Sequence, residues 1–494
     1  MHTKKRRNKG FAVIMTTLAL FATMLMAGLG FDVATLFLIR TKLQGAADTA
    51  ALAAVRTLTV NGNMPAAQTV GTEFLTANFP AGYWGARTLA SMPVASALSI
   101  SLIQANGSAG TAGTTATAKL VTVNVGVSAP LYFLRILGQN QANVYASAQA
   151  KREGLLIMLV LDGSGSMGNL INGTPACTWT MNDAETFLGY SQFDPDIDRI
   201  GLVTFSGNTY TVAPIANFQS PAGTVNTSST VYTALSGFQC GGNTNTADAL
   251  QSAYTAMQTF YGGAGVSPNR ADVVILMTDG APNGITANLA PVIKSGSPCG
   301  PATSGGQLSG LLARETPTEY GILSIAPATS AAMGGLPLIA DNGHCQMDGN
   351  PPNFYLDFTQ VPTTDIWGDA TTGGNTYLPT TSLAFSGDAP LSQPADEQQF
   401  LNLSCNVADG AATRLRTDSA LRITIYTIAV AGNSGTNIYD DLDSVLLQRM
   451  ANAPTSPIYN PSQPVGAYFY AQDASYLGGE FAAVASAISA RLSK

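Results

Sequence analysis

Residues 155–168 read LLIMLVLDGSGSMG. The apolar run from Leu155 to Leu161 has no polar alternation, which suits a strand covered on both faces, as in a parallel sheet. Asp162-Gly163-Ser164-Gly165-Ser166 follows at once, so its oxygens leave the strand at its carboxyl end. Two further stretches repeat the plan. Cys240-Gly241-Gly242-Asn243-Thr244-Asn245 opens a helix predicted through Ala249, Leu250 and Tyr254. Val273 to Thr278 is a second apolar strand, and it ends in Asp279-Gly280. Hydroxyls from Ser164, Ser166 and Thr244, with carboxylates from Asp162 and Asp279, make a set of hard oxygen donors. Such a set suits Mg²⁺, or Mn²⁺, in near-octahedral geometry. With few charged ligands the ion stays electrophilic and leaves a position for an incoming carboxylate. Open α/β sheets place their ligand crevice at these strand ends.

The three elements, in this order, resemble the D-x-S-x-S, threonine and aspartate elements of von Willebrand factor A (vWA) domains, whose metal-ion-dependent adhesion site is abbreviated MIDAS. The rest of residues 152–494 agrees. Ala184 to Tyr190 reads as a first helix, Asp198 to Ser206 as a second strand and Tyr210 to Ala213 as its hairpin partner. Leu421 to Ala431 is a later strand, followed by a helix over 439–453, a strand over 467–471 and a closing helix over 474–492. Strand–helix alternation of this kind predicts a doubly wound, Rossmann-like sheet. About 130 residues separate Asp279 from Ala411, more than the core needs, so residues 283–410 are expected to be a loop-rich insertion on the metal face. It is expected either to shape a partner surface or to be surface decoration. Asp194, Asp196 and Asp198 precede a strand, and Asp440, Asp441 and Asp443 open a helix, where carboxylates favour the positive dipole end; calcium binding is the sharper alternative for either cluster.

Toward the N-terminus, Phe11 to Phe31 is a 21-residue uncharged apolar run, close to the length a bilayer-crossing helix requires. Lys4, Lys5, Arg6, Arg7 and Lys9 precede it. Under the positive-inside rule, residues 1–10 stay cytoplasmic and everything after Asp32 faces outward. A cleaved signal peptide is the rival reading; the length of the run, the lack of an Ala-x-Ala site and the continuing helical sequence count against it. Ala and Leu dominate onward, so one helix over residues 11–57 is expected. Asp32 lies at the membrane edge. Either the helix simply leaves the bilayer there, or the carboxylate meets a partner subunit within the membrane. Residues 58–151 hold a helix over 65–78, strands over 98–103, 120–127 and 142–150, and a helical turn over 131–137, which together make a small α+β segment.

The basic cluster, apolar span, Gly30-Phe31-Asp32 and the string Leu43-Gln44-Gly45-Ala46-Ala47-Asp48-Thr49-Ala50-Ala51-Leu52-Ala53 are similar to the N-terminal region of TadE/TadG-like proteins of Tad (Flp) pili. With a vWA module behind it, the chain resembles the TadG-like members. The resemblance implies a bacterial inner-membrane protein crossing once, with a pilin-like middle segment and a periplasmic or extracellular C-terminal domain. It also implies pilus-assembly proteins or pilin-like subunits as partners, offering an Asp or Glu to the metal. Met15 stands where a prepilin cut after Gly10 would want Glu, so the anchor is expected to be retained. Met450 stands near the place of the cysteine that family members often carry opposite Cys405. Cys177 and Cys240 are expected in loops near the metal face and are the first pair to join as a disulfide.

Composition narrows the classes further. Setting aside the five basic residues before Gly10 leaves 18 of 23 against 30 acidic residues, a balance of −12. Such a body repels phosphate backbones, so nucleic-acid binding is not expected. The five cysteines follow the anchor and form no C-x-x-C pair, which fits an oxidising compartment. His2 and His344 are the only histidines, which argues against a Cys/His zinc site. Without G-x-S-x-G, a triad histidine or a phosphate loop, the chain is expected to be non-enzymatic. Pilus assembly through metal-dependent contacts leads; a membrane-tethered adhesin or sensor is the alternative.

Overall fold

The structure is a computed structural model that describes residues 9–492 except 62, 105, 113–114, 207–208, 263–269, 290, 294–307, 317–318, 325–355, 359–361, 374–375, 381–393 and 432–441. The chain divides into two compact units, with the division at Arg152/Glu153 apart from residues 112–117, which belong to the second.

The first unit is built on α1 (Lys9–Asn61), the one helix among the described residues long and apolar enough to cross a membrane. From Phe11 to Phe31 its large apolar side chains are exposed, whereas Ile39, Leu43, Ala46, Ala47, Ala50, Ala54 and Leu58 are buried at helical spacing. That buried stripe packs on α2 (Met64–Asn78), whose start is capped by the Asn63 side chain accepting from the Ala66 N–H at 3.0 Å. Strands β1 (Arg87–Thr88), β2 (Leu98–Ile103), β3 (Ala118–Pro130) and β4 (Gln141–Asp162) follow. Strands β1 and β2 each pair antiparallel with β3. Val121, Val123, Val125 and Val127 alternate into one core with the small face of α1, together with Val144, Ala146 and Ala148 of β4.

The second unit contains the hairpin β5 (Leu170–Ile171) and β6 (Thr174–Pro175), then α3 (Ala176–Leu188), β7 (Arg199–Phe205), β8 (Thr209–Ala216), α4 (Thr230–Leu235), α5 (Thr246–Phe260) and β9 (Arg270–Thr278). Next come β10 (Gly284–Leu289), β11 (Pro291–Ile293), β12 (Leu308–Thr316), β13 (Glu319–Ser324), β14 (Leu356–Phe358), α6 (Pro394–Thr417), β15 (Thr424–Val430), α7 (Ser444–Met450), β16 (Tyr468–Ala471) and α8 (Leu477–Leu492). The main sheet runs β8-β7-β4-β9-β15-β16, parallel throughout except for the antiparallel edge strand β8. The chain order reverses between β4 and β9, the switch point of a doubly wound fold.

The apolar run Leu155 to Leu161 divides its side chains between two cores. Leu156, Met158 and Val160 join α5, α6 and α7 on one face. Leu155, Ile157, Leu159 and Leu161 join α3, α4 and α8 on the other. Burial on both faces is what an unalternating strand requires.

Four boundaries differ from expectation. Residues 142–150 and 155–161 are one strand, because the polar Lys151-Arg152-Glu153 keeps strand geometry. The first vWA helix starts at Ala176, not Ala184. β10 and the part of α6 up to residue 410 lie inside the expected 283–410 insertion yet belong to the core, through Ile285, Ala287, Leu403, Val407 and Ala408. Residues 439–441 of the expected 439–453 helix lie outside the described residues, and α7 covers Ser444–Met450.

Candidate metal centre

Asp162 ends β4 and is fully buried. Its Oδ1 accepts the Ser164 N–H at 2.7 Å, and its Oδ2 accepts the Thr278 hydroxyl at 2.5 Å. This turn brings the Ser164 and Ser166 hydroxyls to 3.0 Å from each other. The Ser166 hydroxyl donates to Asp279 Oδ1 at 2.7 Å, across the switch point. Asp162, Ser164, Ser166 and Asp279 thus form one connected set, in which Asp162, Ser164 and Asp279 are buried.

The third loop is held by backbone bonds. The Gly163 N–H donates to the Phe205 carbonyl at 2.7 Å and the Gly163 carbonyl accepts from Gly241 at 2.8 Å, while the Gly165 N–H donates to Gly242 at 2.8 Å. A Cβ on Gly163 would stand 2.7 Å from the Gln239 carbonyl, so only glycine allows this approach. Gly242 has φ +86°, a left-handed value that glycine takes without strain. Thr244 sits buried just before α5, pinned at both backbone groups by Asn283: its N–H donates to Asn283 Oδ1 at 2.6 Å, and its carbonyl accepts from the Asn283 N–H at 2.9 Å. Asn245 caps α5 and donates from its side-chain amide to the Thr286 hydroxyl at 3.0 Å.

Burial pushes the Asp162 carboxyl up to about 6, against the bonds from Thr278 and Ser164 that favour its charged form. A buried carboxylate beside converging hydroxyls is the environment a hard cation relieves. Among the described residues no group of three or more His, Cys, Asp or Glu side chains could hold an ion alone. Two carboxylates with hydroxyls are a donor set that suits a hard cation. Asp162, Ser164, Ser166 and Asp279 are brought together and could hold one, with Thr244 on the neighbouring loop, placed through its backbone.

Sequence reasoning missed Thr278 and Asn283. Nothing local marks the role of either: Thr278 is the last strand residue before Asp279, and Asn283 lies four residues after that aspartate. Cys177 and Cys240 are joined as a disulfide with Cα atoms 6.3 Å apart; Cys177 lies in the first turn of α3 rather than in a loop. Cys405 is a buried free thiol in the core that also holds Met450. Cys299 and Cys345 lie outside the described residues.

The acidic clusters serve the backbone. Asp198 accepts the Leu155 N–H at 2.8 Å and the Asp194 N–H at 2.7 Å, and Asp443 caps α7 through the Leu446 N–H at 2.9 Å. Asp440 and Asp441 lie outside the described residues. Within the expected insertion, Trp367 donates its indole N–H to Asp248 Oδ1 of α5 at 2.9 Å, and Asp369 pairs with Arg414 of α6 at 2.7 Å. That part of the insertion is fastened to the core.

Asp32, in the first unit, is buried and accepts the backbone N–H groups of Tyr132, Phe133 and Leu134 at 2.8, 3.0 and 2.7 Å. The carboxylate is engaged within its own chain, a contact that neither reading of Asp32, the plain helix exit or the partner subunit, anticipates. The helical turn expected over 131–137 is a 3₁₀ turn over Leu134–Leu137, and it meets α1.

Residues 157–297 match the von Willebrand factor type A domain family. The chain carries a vWA domain. Residues 10–57 match the Flp pilus-assembly TadE/G-like family. No curated protein matches the sequence. Solved structures similar to the chain include the pilus adhesin SpaC from Lactobacillus rhamnosus GG, at 15% identity and TM-score 0.37, covering 83% of this chain and 36% of that one. The vWF domain of the type V pili tip protein Mfa5 from Porphyromonas gingivalis is similar at 16% identity and TM-score 0.36, covering 69% of this chain and 96% of that one. Proximal thread matrix protein 1 from the mussel byssus, in a form with a zinc-occupied MIDAS motif, is similar at 14% identity and TM-score 0.30, covering 68% and 46%. The chain spans about a third of SpaC's length and under half of the byssus protein's. With identities this low, the assignment of the vWA domain rests on the matched residues and on the sheet order above.

Proposed function

We propose that this protein is a non-enzymatic, membrane-anchored component of pilus assembly, anchoring or stability, in which the vWA domain holds a protein partner through a divalent ion. The observation that carries the reading is the connected set Asp162–Ser164–Ser166–Asp279 at the switch point, in a chain whose N-terminal helix matches the TadE/G-like family. The apolar surface of α1 and the basic residues before it support a single span with the N-terminus in the cytoplasm and the vWA domain on the other side of the inner membrane.

A bound ion, Mg²⁺ or Mn²⁺, would supply an electrophilic point for an Asp or Glu carboxylate of the partner. This chain's own part is to hold the hydroxyls in place. Asp162 fixes the Ser164 backbone, Thr278 fixes Asp162, and Asn283 fixes Thr244. Zinc in the MIDAS motif of the byssus protein makes Zn²⁺ a further ion to test.

The test is pilus assembly in cells carrying Asp162→Ala or Ser164→Ala, with protein level and membrane location followed in parallel. Lost pili at normal protein level supports the reading. Normal pili with either variant overturns it.

A further inference from the structure

Leu131–Leu137 reads LYFLRIL and forms the tip joining β3 to β4. Its side chains do not behave as a loop in water should. Ile136 and Leu137 are 68% and 67% exposed, and Tyr132 and Phe133 about two-fifths exposed. Its backbone, by contrast, is turned inward. Asp32 takes the N–H groups of Tyr132, Phe133 and Leu134. Leu131 donates to the Asn140 carbonyl, Ile136 to Phe133, Gly138 to Arg135 and Gln139 to Leu134. Five of the seven backbone N–H groups of Leu131–Leu137 are thus taken up by the protein, and a segment that does so while presenting its apolar side chains is suited to a medium poor in water.

The tip meets α1 at a defined level. Phe31 packs edge-on against both Tyr132 and Phe133, with ring centroids 5.8 Å away in each case. Gly28 lies flat under Phe133, where an added Cβ would come within 2.5 Å of the ring. Residues 28–32 close the uncharged run. At a rise of about 1.5 Å per residue, Lys9 to Arg40 spans roughly 46 Å, near the full thickness of a bilayer with its headgroups. Asp32, the only charged residue between them, falls roughly 34 Å from Lys9, just past a hydrocarbon core of about 30 Å.

We infer that Leu131–Leu137 inserts into the bilayer interface on the face away from Lys9, with Ile136 and Leu137 in lipid and Asp32 neutralising the backbone donors of the tip. The apolar surface of the tip is continuous with that of α1 through Phe31. Tyr132 and Arg135 are side chains that reach from apolar surroundings to the headgroups. The protein then holds the membrane at two points, so its first unit cannot rotate freely about α1. This inference rests on α1 being a membrane anchor.

The test uses the full chain in phosphatidylethanolamine–phosphatidylglycerol vesicles, with a photocrosslinking amino acid in place of Ile136, Leu137, Phe21 or Leu170 in turn. Phe21 lies on the exposed face of α1 and Leu170 on the surface of the vWA domain. Lipid adducts at Ile136 and Leu137, as at Phe21, with none at Leu170, are expected. Lipid adducts at Phe21 alone, or only protein–protein adducts at Ile136 and Leu137, would overturn the insertion while leaving the anchor standing. No lipid adduct at Phe21 would overturn the anchor, and the insertion with it.

Discussion

Asp162 has both oxygens engaged, one by a backbone N–H and one by the Thr278 hydroxyl. Thr278 fixes the carboxylate that positions Ser164. Thr278→Val removes that bond while keeping shape. Loss of a partner behind a ligand typically weakens metal binding about 10–100-fold. Titration calorimetry with Mn²⁺ should show a drop of that order, and unchanged affinity would mean that Asp162 does not need the bond. Asp365 offers a second test at this scale. One of its oxygens accepts the Trp367 and Asp369 N–H groups at 2.8 Å each, and burial, then the nearby Asp369, pushes its carboxyl up from 3.8 to about 7. Below pH 4 the acid is neutral in both states and costs nothing. As pH rises from about 4 to 7 the unfolded chain ionises first, so this residue's contribution to stability falls across that window. Asp365→Asn keeps the acceptor and removes the ionisation. The variant's Tm relative to wild type should therefore climb from pH 4 to 7 and then level off. A flat difference would mean that the carboxyl ionises normally.

At the scale of elements, two fastenings hold segments far apart in sequence. Asp32 joins α1 to the tip after β3, and Asp32→Ala leaves three part-buried backbone donors without their acceptor. An unpaired buried donor costs about 1–3 kcal/mol. Hydrogen exchange should show the amides of Tyr132, Phe133 and Leu134 losing protection while those of β3 keep theirs; loss throughout β3 would mean that the contact holds the whole sheet. The Cys177–Cys240 bond ties the first turn of α3 to the loop that carries Thr244, closing 63 residues. Disulfides closing loops of this kind contribute about 2–4 kcal/mol. Reduction, or Cys177→Ser with Cys240→Ser, should lower the Tm of the vWA domain and weaken metal binding together. Residues 155–161 of β4 and 273–277 of β9 were legible because both faces are buried and the sequence there is unbroken apolar. β15 was legible from its apolar residues, although Thr424 and Thr427 interrupt them. The join at Lys151-Arg152-Glu153 was not legible, since three charged residues in a row look like a linker. The first half of α6 was hidden for a like reason. Residues 394–399 read PADEQQ, which is polar, and only the proline followed by acids marks a helix start. The five candidate positions of the proposed metal site could be read from local motifs. Thr278 and Asn283 could not, because what they do depends on partners 116 and 39 residues away.

For the whole molecule, each unit has its own hydrophobic core, one built from α1, α2 and the strands up to β4, the other from the two faces of the doubly wound sheet. Ligand binding stabilises only the structure that forms the site, by about 2.7 kcal/mol when the ligand stands at 100 times its Kd. An ion held by Asp162, Ser164, Ser166, Thr244 and Asp279 acts on the second unit alone. Calorimetry of the detergent-solubilised full chain should therefore resolve two transitions, of which Mg²⁺ or Mn²⁺ raises one by a few degrees. Asp162→Ala should abolish that rise and leave the metal-insensitive transition where it was. The comparison separates two roles that loss of pili alone would merge. If the variant lowers both transitions, the site holds the molecule together, and missing pili would reflect missing protein. If it removes only the metal response, the anchor and its unit remain intact, and any loss of pili belongs to the contact the ion makes.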